Sequence, residues 1–152
     1  MFAERFIRSE SFRALYDEIM RLVEEARIYI GGKGCVDVAD LGQEGRIAYA
    51  AWSMHLTTQV LNMAAWAMLL RTVETGEKNF AEVVGEMPKF ESEFHRKKVP
   101  DHSAQLLPEE MLGLLGSSER LRLRGVRLMI SFTLAEKADR VGELAAVFDD
   151  TG

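Results

Sequence analysis

From Ile47 to Leu70 the chain carries no formally charged residue, taking His55 as neutral. The run is long enough to cross a bilayer, which takes about 20 mainly apolar residues. It holds both tryptophans, Trp52 and Trp66. Ser53, His55, Thr57, Thr58, Gln59 and Asn62 interrupt it. Those polar groups, the amphipathic flanks and the lack of a second such run argue against membrane insertion. The remaining reading is a helix at the centre of a globular bundle. At about 100° per residue, His55, Gln59, Asn62 and Thr58 share one arc of about 100°, with Trp52 and Trp66 within or beside it. Leu56, Val60, Leu61, Met63, Ala64, Ala67, Met68 and Leu70 fill the other directions, leaving the helix apolar over roughly 260°.

Such a helix has more apolar surface than two neighbours can cover. A second copy of the same helix is the simplest third cover, giving a two-fold dimer. Ala50, Ala51, Ala64, Ala65 and Ala67 would permit close approach. The polar arc is then either the wet outer face or a hydrogen-bonded interface seam, and the sequence leaves both open. Trp52, His55, Gln59, Asn62 and Trp66 are therefore the candidate dimer or core residues.

The flanks fit an all-α chain. Phe12, Leu15, Tyr16, Ile19, Leu22, Val23, Ala26 and Ile30 recur at spacings of three and four, an amphipathic helix with one apolar stripe. Ser9 or Ser11 can cap its start, and Gly31 and Gly32 can end it in the left-handed conformation. The central helix begins near Asp40, firmly from about Arg46, and runs to Gly76 without a breaker. Pro88, Pro100 and Pro108 all fall in one zone. Asn79 can cap a short helix through Glu86 before an irregular connection from Pro88 to Leu107. A third long helix starts at Pro108. Gly113, Gly116 and Gly125 each weaken it by about 1 kcal/mol relative to alanine. The expected architecture is a three-helix bundle of long antiparallel helices, homodimeric. Residues 1–134 form the domain, and 135–152 form a C-terminal extension or flexible tail.

The 152 residues suit one domain. A formal charge of -5 and a pI near 5.3 oppose nonspecific binding to nucleic acid or anionic lipid. The single cysteine, Cys35, and an N-terminus charged at Glu4, Arg5, Arg8 and Glu10 suggest a cytoplasmic protein without a signal peptide.

Candidate chemistry is sparse. Arg120, Arg124 and Arg127 share one helix face, with Arg122 between them, and could bind an oxyanion or an acidic partner. The plainer reading is a solvated face paired with helix-one carboxylates. His55, His95, His102 and Cys35 show no metal-ligand spacing. "GGKGC" lacks the phosphate-loop pattern. No catalytic residue, metal or cofactor is implied.

Two strings carry more. "RSESFRALYDEIMRLVEEARIYIGGKG" and "AYAAWSMHLTTQVLNMAAWAMLLRTVETGE" resemble the regulator of CtrA degradation (RcdA) family of alphaproteobacteria. The matching positions include Ser9, Glu10, Phe12, Leu15, Glu18, Met20, Leu22 to Glu25, Tyr29, Tyr49, Ser53, Met54, Leu56 to Thr58, Trp66, Arg71, Val73, Gly76 and Glu77. The likeness covers about residues 6 to 130 and is loosest in the third helix. The family tends to be acidic where this chain has Trp52, and basic at His55 and Gln59.

The resemblance implies a non-enzymatic, dimeric adaptor for the ClpXP protease, cytoplasmic and with a polar location as an option. Implied partners are the ClpX protease complex, a CpdR-like response regulator, a PopA-like cyclic-di-GMP effector and protein substrates. The Arg120/Arg124/Arg127 face and the C-terminal end are the candidate partner surfaces. Two other classes compete. One is a small helical enzyme of the chorismate-mutase kind, whose arginines would enclose a dianionic metabolite. The other, a DNA-binding regulator, is opposed by the net charge.

Overall fold

The computed structural model describes residues 2–86 and 100–150. Its elements are α1 (Phe2–Ile7), α2 (Glu10–Gly31), α3 (Lys33–Ala39), α4 (Gln43–Glu74), α5 (Phe80–Glu86), α6 (Asp101–Ala104) and α7 (Glu109–Asp149). The all-α expectation holds, and the described residues contain no strand. No helix among them is long and apolar enough to cross a membrane.

Local sequence accounts for most boundaries. The Ser9 hydroxyl accepts the Phe12 N–H at 3.3 Å and caps α2. Asn79 and Glu82 form a reciprocal capping box at α5: each side chain accepts the other's backbone N–H at 2.9 Å. The expected Asp40 cap is not used, and α4 starts at Gln43 behind Gly42. The "GGKGC" turn is instead the start of α3. Gly32 ends α2 at φ -129, outside the left-handed region, which Gly76 alone enters among the described residues, at φ 79 after α4. Arg46 closes the α3–α4 turn by donating to the carbonyls of Ala39 and Leu41, both at 3.0 Å. Of the expected irregular connection, 88–99 lies outside the described residues, and α6 forms one turn within the remainder.

The expectation of long antiparallel helices needs correction. α2 runs antiparallel to α4, as Arg13–Glu74 and Tyr16–Arg71 show, and antiparallel to α7, through Glu18–Arg124. α4 and α7, however, run in the same direction: Gln59 meets Glu119, and Trp66 meets Met129 further along both helices. Parallel neighbours cannot be joined by a tight turn. Glu74 and Glu109 therefore lie at opposite ends of the bundle, which gives the length of the connection between them a structural reason.

The core is one cluster. Phe12, Leu15, Ile19, Leu22 and Ala26 of α2 meet Leu56, Val60, Met63, Trp66, Ala67 and Leu70 of α4, and Met111, Leu114, Leu121 and Phe132 of α7. α1, which the sequence reading did not assign, closes one end. Its Ala3 and Ile7 are fully buried, and Phe2, Phe6 and Phe80 pack their rings within 6.1 Å of Phe132. Phe132 is the last buried residue of α7. The helix nevertheless continues unbroken to Asp149, through Gly113, Gly116 and Gly125. Those glycines lower its intrinsic propensity, and packing of its first half outweighs them.

At the other end Tyr29 donates to Asp37 at 2.9 Å. Burial, with that carboxylate, pushes its hydroxyl well above the usual tyrosine range. Gly34 sits so close that an added Cβ would fall 2.7 Å from the Tyr29 carbonyl and collide with the Tyr49 hydroxyl. Gly34→Ala should therefore destabilise the fold by about 1–3 kcal/mol. Gly113→Ala, whose Cβ would meet nothing within 4 Å, should stabilise it by up to about 1 kcal/mol. Urea unfolding of both variants checks the contrast.

Candidate partner-binding surfaces

Part of the polar arc of α4 turns inward, toward α7. Gln59, only 5% exposed, donates to Glu119 at 3.3 Å. Glu119 also accepts two bonds from Arg122, at 2.9 and 2.8 Å, and Arg122 is 6% exposed. That double bond raises the Arg122 guanidinium above its usual range, against the opposing effect of burial. Trp66 is 1% exposed and aims its indole N–H at the Met129 sulfur, 3.1 Å away. Trp52 and His55 are half-buried and meet edge to face at 5.2 Å, and Asn62 is half-buried as well. The arc is thus divided: Gln59, with Trp66 beside it, lies inside the chain where α4 meets α7, His55 and Asn62 are half-buried, and Thr58 is exposed. Arg122 was counted in the arginine cluster by sequence, and only its offset from the 120/124/127 face distinguishes it.

The surplus apolar surface lies on another side. Ile47, Met54, Leu61 and Met68 are 65%, 73%, 55% and 53% exposed. They recur every seven residues. Exposed Ala51, Thr58 and Ala65 fall between them, also seven apart. This is the large–small alternation of a helix seam at the period that lets two helices stay in contact. Position 58 lies near its midpoint.

The arginine row is open. Arg120, Arg124 and Arg127 are all exposed. Arg124 pairs with Glu18 of α2 at 2.6 Å. Glu18, Arg21, Leu22 and Glu25 of α2 face Ser117, Arg120, Leu121 and Arg124 of α7 across a shallow groove of about 310 Å³. Arg127 is not among its lining residues, and Arg21 is the member the sequence did not single out. An i, i+4 rule finds neighbours on one helix but not a cation contributed across an antiparallel pair. The row does not form the enclosed anion pocket that a chorismate-mutase-like enzyme requires. Among the described residues no three His, Cys, Asp or Glu side chains converge as metal ligands. Cys35 is exposed.

Past Phe132, α7 shows Leu134, Val141 and Leu144 to solvent at 60% exposure or more. Glu136, Asp139, Glu143, Asp149 and Asp150 lie among them.

A family model described as "Protein of unknown function (DUF1465)" matches residues 3–148. Among solved structures, the crystal structure of RcdA from Caulobacter crescentus CB15 is similar at 33% identity and a TM-score of 0.65. The match covers 80% of this chain and 90% of that one. The chain belongs to the RcdA-type DUF1465 family. No functionally curated protein matches the sequence. In this chain Trp52 and His55 pack against each other and Gln59 reaches Glu119.

The contacts of Gln59, Glu119 and Arg122 can be tested by stability. Glu119→Ala removes both bonds that Arg122 makes to it and should cost about 2 kcal/mol, since Arg122 is buried and Glu119 partly exposed. Gln59→Leu removes only one long bond and should cost less than about 1 kcal/mol. Chemical unfolding followed by tryptophan fluorescence separates the two, with Trp66 as the buried reporter.

Proposed function

We propose that the chain is a non-enzymatic adaptor that tethers protein substrates to a ClpXP-type protease. The observation that carries this reading is the likeness to RcdA across most of both chains. An adaptor acts through effective concentration: a substrate held beside the unfoldase is engaged more often, with no catalytic group needed. Open surfaces on a rigid bundle suit that task. The partners on this reading are the ClpX protease complex, a CpdR-like response regulator, a PopA-like cyclic-di-GMP effector and the substrates themselves. Arg120, Arg124 and Arg127 form one docking face. Residues 135–152 act as an extension beyond the packed domain of 1–134. The location is cytoplasmic, with recruitment to a cell pole as part of the same reading.

Capture on an inactive ClpX trap tests it. The wild-type chain should be retained together with a CpdR-like regulator or a substrate, and Arg124→Glu should reduce that retention severalfold. If the wild-type chain brings down none of these, the adaptor reading fails.

We further propose that the adaptor works as a homodimer through α4. The supporting observation is the stripe of Ile47, Met54, Leu61 and Met68 with small residues between. A two-fold axis near Thr58 would lay the stripe on an antiparallel copy of itself, and Ala51 and Ala65 would let the helices approach closely. Met54→Asp and Leu61→Asp point away from the core. Each should leave the helix content unchanged and weaken self-association at least tenfold, as read by light scattering across a dilution series. A dimer unaffected by both would place the interface elsewhere.

A further inference from the structure

The α2–α7 groove contains two guanidinium groups that no carboxylate engages among the described residues. Arg21 lies on the α2 wall and Arg120 on the α7 wall. Arg120 donates only to the Ser117 hydroxyl, at 3.0 Å. Arg124, the third cation of the groove, is already held by Glu18. Leu22 and Leu121, 3% and 4% exposed, also line it and supply a low-polarity floor. Two like charges on opposite walls of one groove leave a local excess of positive potential, in a chain whose formal charge is -5.

We infer that this groove docks an acidic peptide segment of a partner protein, with one Asp or Glu carboxylate bridging Arg21 and Arg120. Rigid guanidinium forks are matched to carboxylate oxygens, so a single carboxylate can accept from both walls. The volume of about 310 Å³ lies at the small end for ligand clefts, and the groove is open rather than enclosed. That shape suits an extended segment laid along two antiparallel helices and gives a small metabolite little to surround it. Apolar side chains of the segment would rest on Leu22 and Leu121. Glu25 lines the same groove and repels a second acidic group placed beside it. That repulsion favours a segment with a single carboxylate at this position over an acidic run.

The partner's being a protein rests on the adaptor reading; the carboxylate chemistry does not. The test uses the full chain and a fluorescein-labelled Glu/Ser/Leu peptide, with a Gln-for-Glu version as control, read by anisotropy. The Glu peptide should bind and the Gln peptide should not. Arg21→Gln and Arg120→Gln should each weaken binding about three- to fivefold, the scale of an exposed ion pair. The double variant should weaken it about ten- to twenty-five-fold. Arg140→Gln, which breaks the outlying pair with Glu136, should leave binding unchanged. The inference is overturned if the wild-type chain does not bind the Glu peptide, if Arg140→Gln weakens it as much as Arg21→Gln does, or if inorganic phosphate binds Arg21 and Arg120 as tightly as the peptide. Peptide binding at the two arginines without capture on the ClpX trap would keep this inference and remove the adaptor reading. Capture on the trap with peptide binding indifferent to Arg21 and Arg120 would do the reverse.

Discussion

Burying α4 is the constraint from which the rest of the molecule follows. A helix apolar over most of its circumference cannot lie on a surface, so α2 and α7 must flank it and α1 must close its end. Trp66, Leu56, Ala67 and Leu70 disappear almost completely into those contacts. Because α4 and α7 run in the same direction, the end of one and the start of the other lie at opposite ends of the bundle. What two flanking helices cannot cover remains as the stripe from Ile47 to Met68.

A polar layer interrupts the apolar contact of α4 and α7: Glu119 and Arg122 pair along α7, and Gln59 reaches across to Glu119 from α4. Buried polar groups are costly when unpaired, so a slip of either helix would be penalised at this layer. Glu119 takes a cation from Arg122, three residues along its own helix, and accepts from Gln59 of α4.

Two surfaces remain for other molecules, and they differ in kind. The α4 stripe is apolar, regular and pseudo-symmetric, the properties expected of self-pairing. The α2–α7 groove is cationic, narrow and asymmetric, the properties expected of a segment read in one direction. Because they lie on different elements, pairing through one need not block the other. An adaptor needs that separation if it is to remain assembled while its cargo changes.

The sequence by itself determined the all-α class, the positions of α2 and α4, the Asn79 cap and the family, and it narrowed the α2 cap to Ser9 or Ser11. Each depends on contacts within a few residues or on a string of letters, and periodicity and capping chemistry are local. It also revealed that α4 has too much apolar surface. It could not tell which side of α4 faces out, because the projection of a nearly apolar helix offers no strong preference. The tertiary structure decided that Gln59 and Trp66 face α7 and that Ile47, Met54, Leu61 and Met68 face solvent. It separated Arg122, drawn inward by Glu119, from Arg120, Arg124 and Arg127, and it brought Arg21 to the groove from nearly a hundred residues away. Those outcomes depend on the direction and register of helices distant in sequence, which are set by packing rather than by any local pattern.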